Sequence, residues 1–106
     1  MTKRPVKVKI GPLDYAVLWV DAAWSLDTRL NGQIDYSYQI IRVAEWMPST
    51  QQAITLLHEI VHGIHNNTNN SEDMNAEEIA CMVSRGLVAC WRDNPTLMDW
   101  LKEAIT

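Results

Sequence analysis

Leu56-Leu57-His58-Glu59-Ile60-Val61-His62-Gly63-Ile64-His65 constrains this chain more than any other stretch, because it sets ionisable side chains inside an apolar run. On a helix, residues i and i+4 lie one above the other, so the rings of His58 and His62 can converge on one ion. Glu59 is turned by about 100° from His58, which takes it off the ligand row but lets it reach a water on the ion's open side. Neutral imidazoles suit Zn²⁺, and a site with three protein ligands keeps a position for that water. The bland alternative is a helix with incidental polar residues. Burying two histidines and a glutamate without partners is costly, which weighs against it.

A chain of 106 residues, 47% hydrophobic, can build one core and not two, so a single domain over residues 1–106 is expected. Its net charge of −4 offers no basic field for nucleic acid, apart from a local cluster of Lys3, Arg4, Lys7 and Lys9. No run approaches the ~18 apolar residues of a membrane-crossing helix. Met1 to Pro5 leads into Val6-Lys7-Val8-Lys9-Ile10, which has no signal-peptide core. The expectation is a cytoplasmic protein with neither nucleic acid nor membrane as partner. Cys81 and Cys90 fall on opposite faces of one expected helix and read as reduced core thiols. The five tryptophans replace the absent phenylalanines as core volume.

Along the chain, Val6 to Ile10 alternates as a strand with one wet face and ends at Gly11-Pro12. The segment from Asp14 to Asp27 reads equally as a strand through Tyr15 to Val20 or as a short helix. Asn31-Gly32 is a turn pair, and Ile34, Tyr36, Tyr38 and Ile40 alternate after it, predicting one strand from about Gln33 to Val43. Ser49 and Gln52 have capping-box spacing ahead of a helix from about Thr50 to Asn66. Its stripe is Ile54, Leu57, Val61 and Ile64, widened by Ala53, Leu56 and Ile60. A polar, mobile loop over Asn66 to Asn75 should lead to a second helix from Ala76 to about Arg92. That helix should bury Ile79, Met82, Val83, Gly86, Leu87 and Cys90. Asn94 caps a terminal helix with Pro95 at its first position. This is an α+β pattern.

The third ligand is sought in Asn75-Ala76-Glu77-Glu78, where a carboxylate in the first helical turn could join the imidazoles in a His₂Glu zinc set. Adjacent positions diverge by about 100°, so Glu77 and Glu78 cannot both serve. Glu77 is favoured because Cys81 and Ser84 on its side are small, whereas Glu78 shares its side with Met82 and Arg85.

The block Thr55 to His62, the start Glu77-x-Ile79-Ala80, Gly86-Leu87, Arg92-Asp93-Asn94-Pro95 and the upstream Gly32-x-x-Asp35 together resemble a family. It is that of small zincin-like metallopeptidases of phages and prophages, related to ImmA/IrrE-type and gluzincin enzymes. The resemblance implies a minimal zincin-like domain: a small twisted sheet packed on the HExxH helix, a second helix carrying a ligand, and a short C-terminal helix. It implies His58, His62 and Glu77 as zinc ligands and Glu59 as general base. Thr68 stands where the extended metzincin motif has its third histidine, which disfavours that branch.

The function expected is zinc-dependent hydrolysis of a peptide bond in a protein or peptide substrate. Zinc would bring its water towards a pKa of ~7, and Glu59 would take the water proton and deliver it to the leaving amine. His65, within about 20° of His58 on the helical wheel, is a candidate oxyanion donor, with Tyr36 and Tyr38 behind it. A substrate strand could add to the edge of Gln39 to Val43. The alternative is a catalytically silent, zinc-stabilised adaptor, which would not need Glu59. A cell-wall hydrolase would need export, for which no signal is seen.

Overall fold

The computed structural model describes residues 3–68 and 73–106. Eight elements follow one another: β1 (Lys7–Ile10), β2 (Leu13–Val20), α1 (Ala22–Thr28), β3 (Gly32–Asp35), β4 (Ile40–Ala44), α2 (Ser49–Asn67), α3 (Ala76–Asp93) and α4 (Pro95–Ala104). The strands form one mixed sheet in the order β1-β2-β4-β3, with β2 and β4 parallel and the other pairs antiparallel. Val8, Ile10, Tyr15, Val17, Ile41 and Val43 bury one face of the sheet. They share a cluster with Leu56, Ile60 and Ile64 of α2, Met82 and Cys90 of α3, and Leu97, Trp100 and Leu101 of α4. Lys7, Lys9, Asp14, Ala16 and Leu18 on the other face are exposed. The result is a two-layer α+β domain of minimal zincin-like build, with α2, α3 and α4 gathered on the buried side of the sheet.

The segment from Asp14 to Asp27 resolves into both of its readings in succession. β2 runs to Val20, then the Asp21 carboxylate accepts from Trp24 N–H and starts α1. The single strand expected over Gln33 to Val43 is instead a hairpin. Its apolar alternation is unbroken, but Asp35 Oδ1 accepts from Tyr38 N–H at 3.0 Å and Gln39 takes a left-handed φ of 55°, so the chain reverses. Nor is Asn31-Gly32 a turn: Gly32 pairs with Val43, and Asn31 C=O accepts from Ala44 N–H. β4 therefore lies inside the sheet, between β2 and β3. The edge assigned to Gln39–Val43 does not exist, and the edge nearest α2 belongs to β3.

α2 begins one residue earlier than expected and ends one later, without the Ser49 capping box. Gln52 Nε2 is taken by the Glu45 and Met47 carbonyls, at 2.9 and 3.0 Å. Of its two apolar rows the core takes Ala53, Leu56, Ile60 and Ile64, leaving Ile54 exposed and Leu57 and Val61 half-buried. α3 buries Met82 and Cys90, half-buries Val83, Gly86 and Leu87, and leaves Ile79 exposed. Gly86 is needed where α3 crosses α2, because a Cβ there would collide with Ile64 Cγ2. Of the loop expected over Asn66 to Asn75, Asn66 and Asn67 belong to α2, and residues 69–72 lie outside the described residues.

Both cysteines are free, but Cys81 is exposed and only Cys90 is a core thiol. Trp100 is the one tryptophan in the buried core. Trp19 packs half-buried against it with ring centroids 5.4 Å apart, while Trp46 and Trp91 are exposed, so the aromatic volume is spread wider than a core role requires.

Asn94 stands at the N-cap position of α4, but its side chain makes no capping bond to that helix. Its carboxamide instead accepts from Lys9 N–H at 2.8 Å and donates to Lys9 C=O at 2.7 Å and to Cys90 C=O at 2.7 Å. The junction between α3 and α4 is thereby fastened to the edge strand β1.

Candidate metal centre

α2 supplies the site through two adjacent rows. His58 and His62 lie on its solvent side, one turn apart, while Glu59 shares the row of Leu56 and Gly63 and is turned towards the sheet. The two imidazoles meet edge to face, with ring centroids 4.7 Å apart and Nε2 atoms 3.1 Å apart. Zn–N bonds of about 2.0–2.1 Å can meet across such a gap, so the pair fits a single ion. Ligand-capable atoms of His58, Glu59 and His62 all lie within 4.8 Å of one another, the one such group among the described residues.

Glu59 is only 7% exposed. Burial pushes its carboxyl pKa above the ordinary glutamate value, and the neighbouring His58 and His62 pull it part of the way back. A raised carboxylate pKa makes a stronger base, which is the property proton abstraction needs. The carboxylate lies beneath the start of β3: Glu59 Oε2 is 3.1 Å from where a Cβ on Gly32 would stand, and Thr55 Cγ2 is 2.5 Å from it.

β3 has two faces and two edges to account for. Asn31 and Ala44 form a hydrogen-bonded pair, so the antiparallel alternation turns the main-chain groups of Gln33 towards β4 and those of Gly32 and Ile34 outward. β4 is the one strand beside β3. At the far end of β3, Tyr36 Oη is placed to donate to His62 C=O at 3.5 Å. Burial and the Glu59 charge both raise its pKa, so it stays a protonated donor.

Glu77 lies in the first turn of α3, exposed, with Oε1 3.9 Å from Cys81 Sγ. The structure does not bring it into the His58–Glu59–His62 group. Glu77 and Glu78 both line a cleft of about 570 Å³ with Ile64, Met74, Met82 and Arg85. The small neighbours that favoured Glu77, Cys81 and Ser84, are exposed, and Cys81 lines the same cleft. The side of Glu78 is the one that packs on α2, through Met82 and Gly86. His65 is half-buried on α2 and is likewise outside the group. The sequence reading gave Gly32 no place in the site and set Tyr36 behind His65; the structure puts Gly32 against the Glu59 carboxylate and Tyr36 Oη at the His62 carbonyl. The signal for both was the alternation through Gly32, Ile34 and Tyr36, which puts all three on the face towards α2.

No helix among the described residues is long and apolar enough to cross a membrane. A comparison with protein families matches residues 22–82, from α1 into α3, to the peptidase M78 family, described as an IrrE N-terminal-like domain. No curated protein and no solved structure matches the chain.

Proposed function

Since the chain belongs to the peptidase M78 family with its IrrE N-terminal-like domain, we propose that it is a zinc-dependent metallopeptidase acting on a protein or peptide substrate. The observation that carries this reading is the group itself: two imidazoles 3.1 Å apart at Nε2 with a buried, basic carboxylate beside them. His58 and His62 hold the ion as neutral imidazoles, joined by Glu77 as third ligand, with Glu78 as the alternative from the same turn. Zinc, when bound, supplies Lewis-acid chemistry that makes water easier to deprotonate and a carbonyl easier to attack. Glu59 takes the proton of the attacking water and carries it to the leaving nitrogen. A donor must then meet the developing oxyanion. His65 and Tyr36 are the candidates, and the position of Tyr36 Oη beside His62 and Glu59 favours Tyr36. An extended substrate adds to the open edge of β3, pairing with the outward groups of Gly32 and Ile34.

Glu59→Gln separates this enzyme from a silent, zinc-stabilised adaptor. The variant should keep zinc and fold while losing turnover by about 10²–10⁴-fold. A wild type that binds zinc fully and cuts nothing in a broad peptide library would remove the peptidase reading. Zinc content of His58→Ala, His62→Ala, Glu77→Ala and Glu78→Ala identifies the ligands: each true ligand loses metal. Full zinc in Glu77→Ala with loss in Glu78→Ala would transfer the role.

A further inference from the structure

We propose that Gly32 is a positioning residue for Glu59: the missing side chain at the start of β3 sets where the carboxylate stands relative to His58 and His62. This rests on the peptidase reading above and deepens it.

Three contacts define the space. A Cβ on Gly32 would meet Thr55 Cγ2 at 2.5 Å, Glu59 Oε2 at 3.1 Å and Arg42 C=O at 3.3 Å. The strand cannot simply move out to make room. Asn31 C=O is bonded to Ala44 N–H at 2.9 Å on one side, and on the other Ile34 Cδ1 is seated against Gly63, within 3.2 Å of where a Cβ there would stand. The Glu59 carboxylate lies against Gly32, with Oε2 3.1 Å from where a Cβ would stand, so the side chain missing from position 32 leaves the room it occupies. A methyl group at position 32 therefore acts on two neighbours with different consequences. Against Thr55 it disturbs packing, and against Glu59 it shifts the base.

Those consequences can be separated, because Thr55→Ser removes Cγ2 and relieves the first contact alone. The experiment compares wild type, Gly32→Ala, Thr55→Ser and Gly32→Ala/Thr55→Ser, each zinc-loaded, for zinc stoichiometry, thermal midpoint, and kcat and KM on library peptides that the wild type cuts. Gly32→Ala should keep its zinc, lose thermal stability and lose about tenfold or more in kcat, since sub-ångström to ångström misplacement of a reacting group costs on that order. KM should change by no more than about twofold, because the loss falls on the chemical step. The double variant should recover the thermal midpoint of Thr55→Ser while kcat stays about tenfold down.

Recovery of kcat together with the midpoint would overturn the proposal and leave Gly32 a packing residue. Unchanged kcat in Gly32→Ala would overturn it too. If the wild type cuts nothing, the peptidase reading falls and this inference falls with it. An active wild type with an equally active double variant removes the role of Gly32 alone.

Discussion

At the β1 edge of the sheet the Asn94 carboxamide occupies both the N–H and the C=O of Lys9, whereas at the other edge β3 has β4 as its one neighbouring strand and turns the groups of Gly32 and Ile34 outward. An unpaired strand edge invites another chain, and proteins normally block it. This chain blocks one with a side-chain amide that imitates a paired residue. Among the described residues no strand pairs with the other, which lies over Glu59. If the β3 edge takes the substrate as proposed, the β1 edge serves stability alone, and variants at each should fail in different assays.

The largest effect expected is at the closed edge. Asn94→Ala strips the side-chain bonds to Lys9 and Cys90 from a residue only 8% exposed, and orphaned buried groups should cost about 2–4 kcal/mol. Denaturant unfolding would register it, with zinc content and turnover of the folded fraction unchanged. Loss of turnover without loss of stability would break the division between the edges. Tyr36→Phe, at the end of the open edge, should do the reverse. It should lower kcat about tenfold, or about 1.4 kcal/mol, with the unfolding midpoint held. His65→Ala measured beside it decides between the two donors, since only the true donor lowers kcat.

A smaller effect concerns pH. Burial pushes the Cys90 thiol up to about 11 from an ordinary value near 9, partly offset by the Asn94 amide 3.5 Å from Sγ. The folded state thus resists losing a proton that the unfolded chain gives up. The stability this contributes is whole below about 9 and drains away as pH rises to about 11. Cys90→Ala should flatten that alkaline decline in urea midpoints. The mildest test alters no residue: amide exchange should be slower at Lys9 than at Gly32 and Ile34, and a bound peptide should slow the latter two. Protection of Gly32 and Ile34 without any peptide would mean that the open edge is already covered.

The HExxH helix was legible because its evidence is local. Spacing alone put His58 and His62 on one row with Glu59 off it, and the structure builds that row. What spacing could not supply was the choice of face. Ile54 and Leu57 have the same period as Ala53 and Leu56, and only the sheet beneath decides that Ile54 stays outside. The hairpin was hidden for a similar reason, since the alternation Ile34-Tyr36-Tyr38-Ile40 runs straight through a reversal made by the Asp35 side chain and Gln39. Missing that turn placed β4 at an edge, and with it the substrate. Glu77 was chosen by the size of its neighbours, and spacing alone could not show that Cys81 and Ser84 are exposed.

The crossing of Gly86 on Ile64 makes α3 a lever. Glu77 lies nine residues away along the helix, an arm of about 13 Å at 1.5 Å per residue. A rotation of about 20° about that fulcrum would sweep the first turn through about 4–5 Å. Which carboxylate of that turn stands nearer α2 is then a matter of the angle at which α3 crosses it.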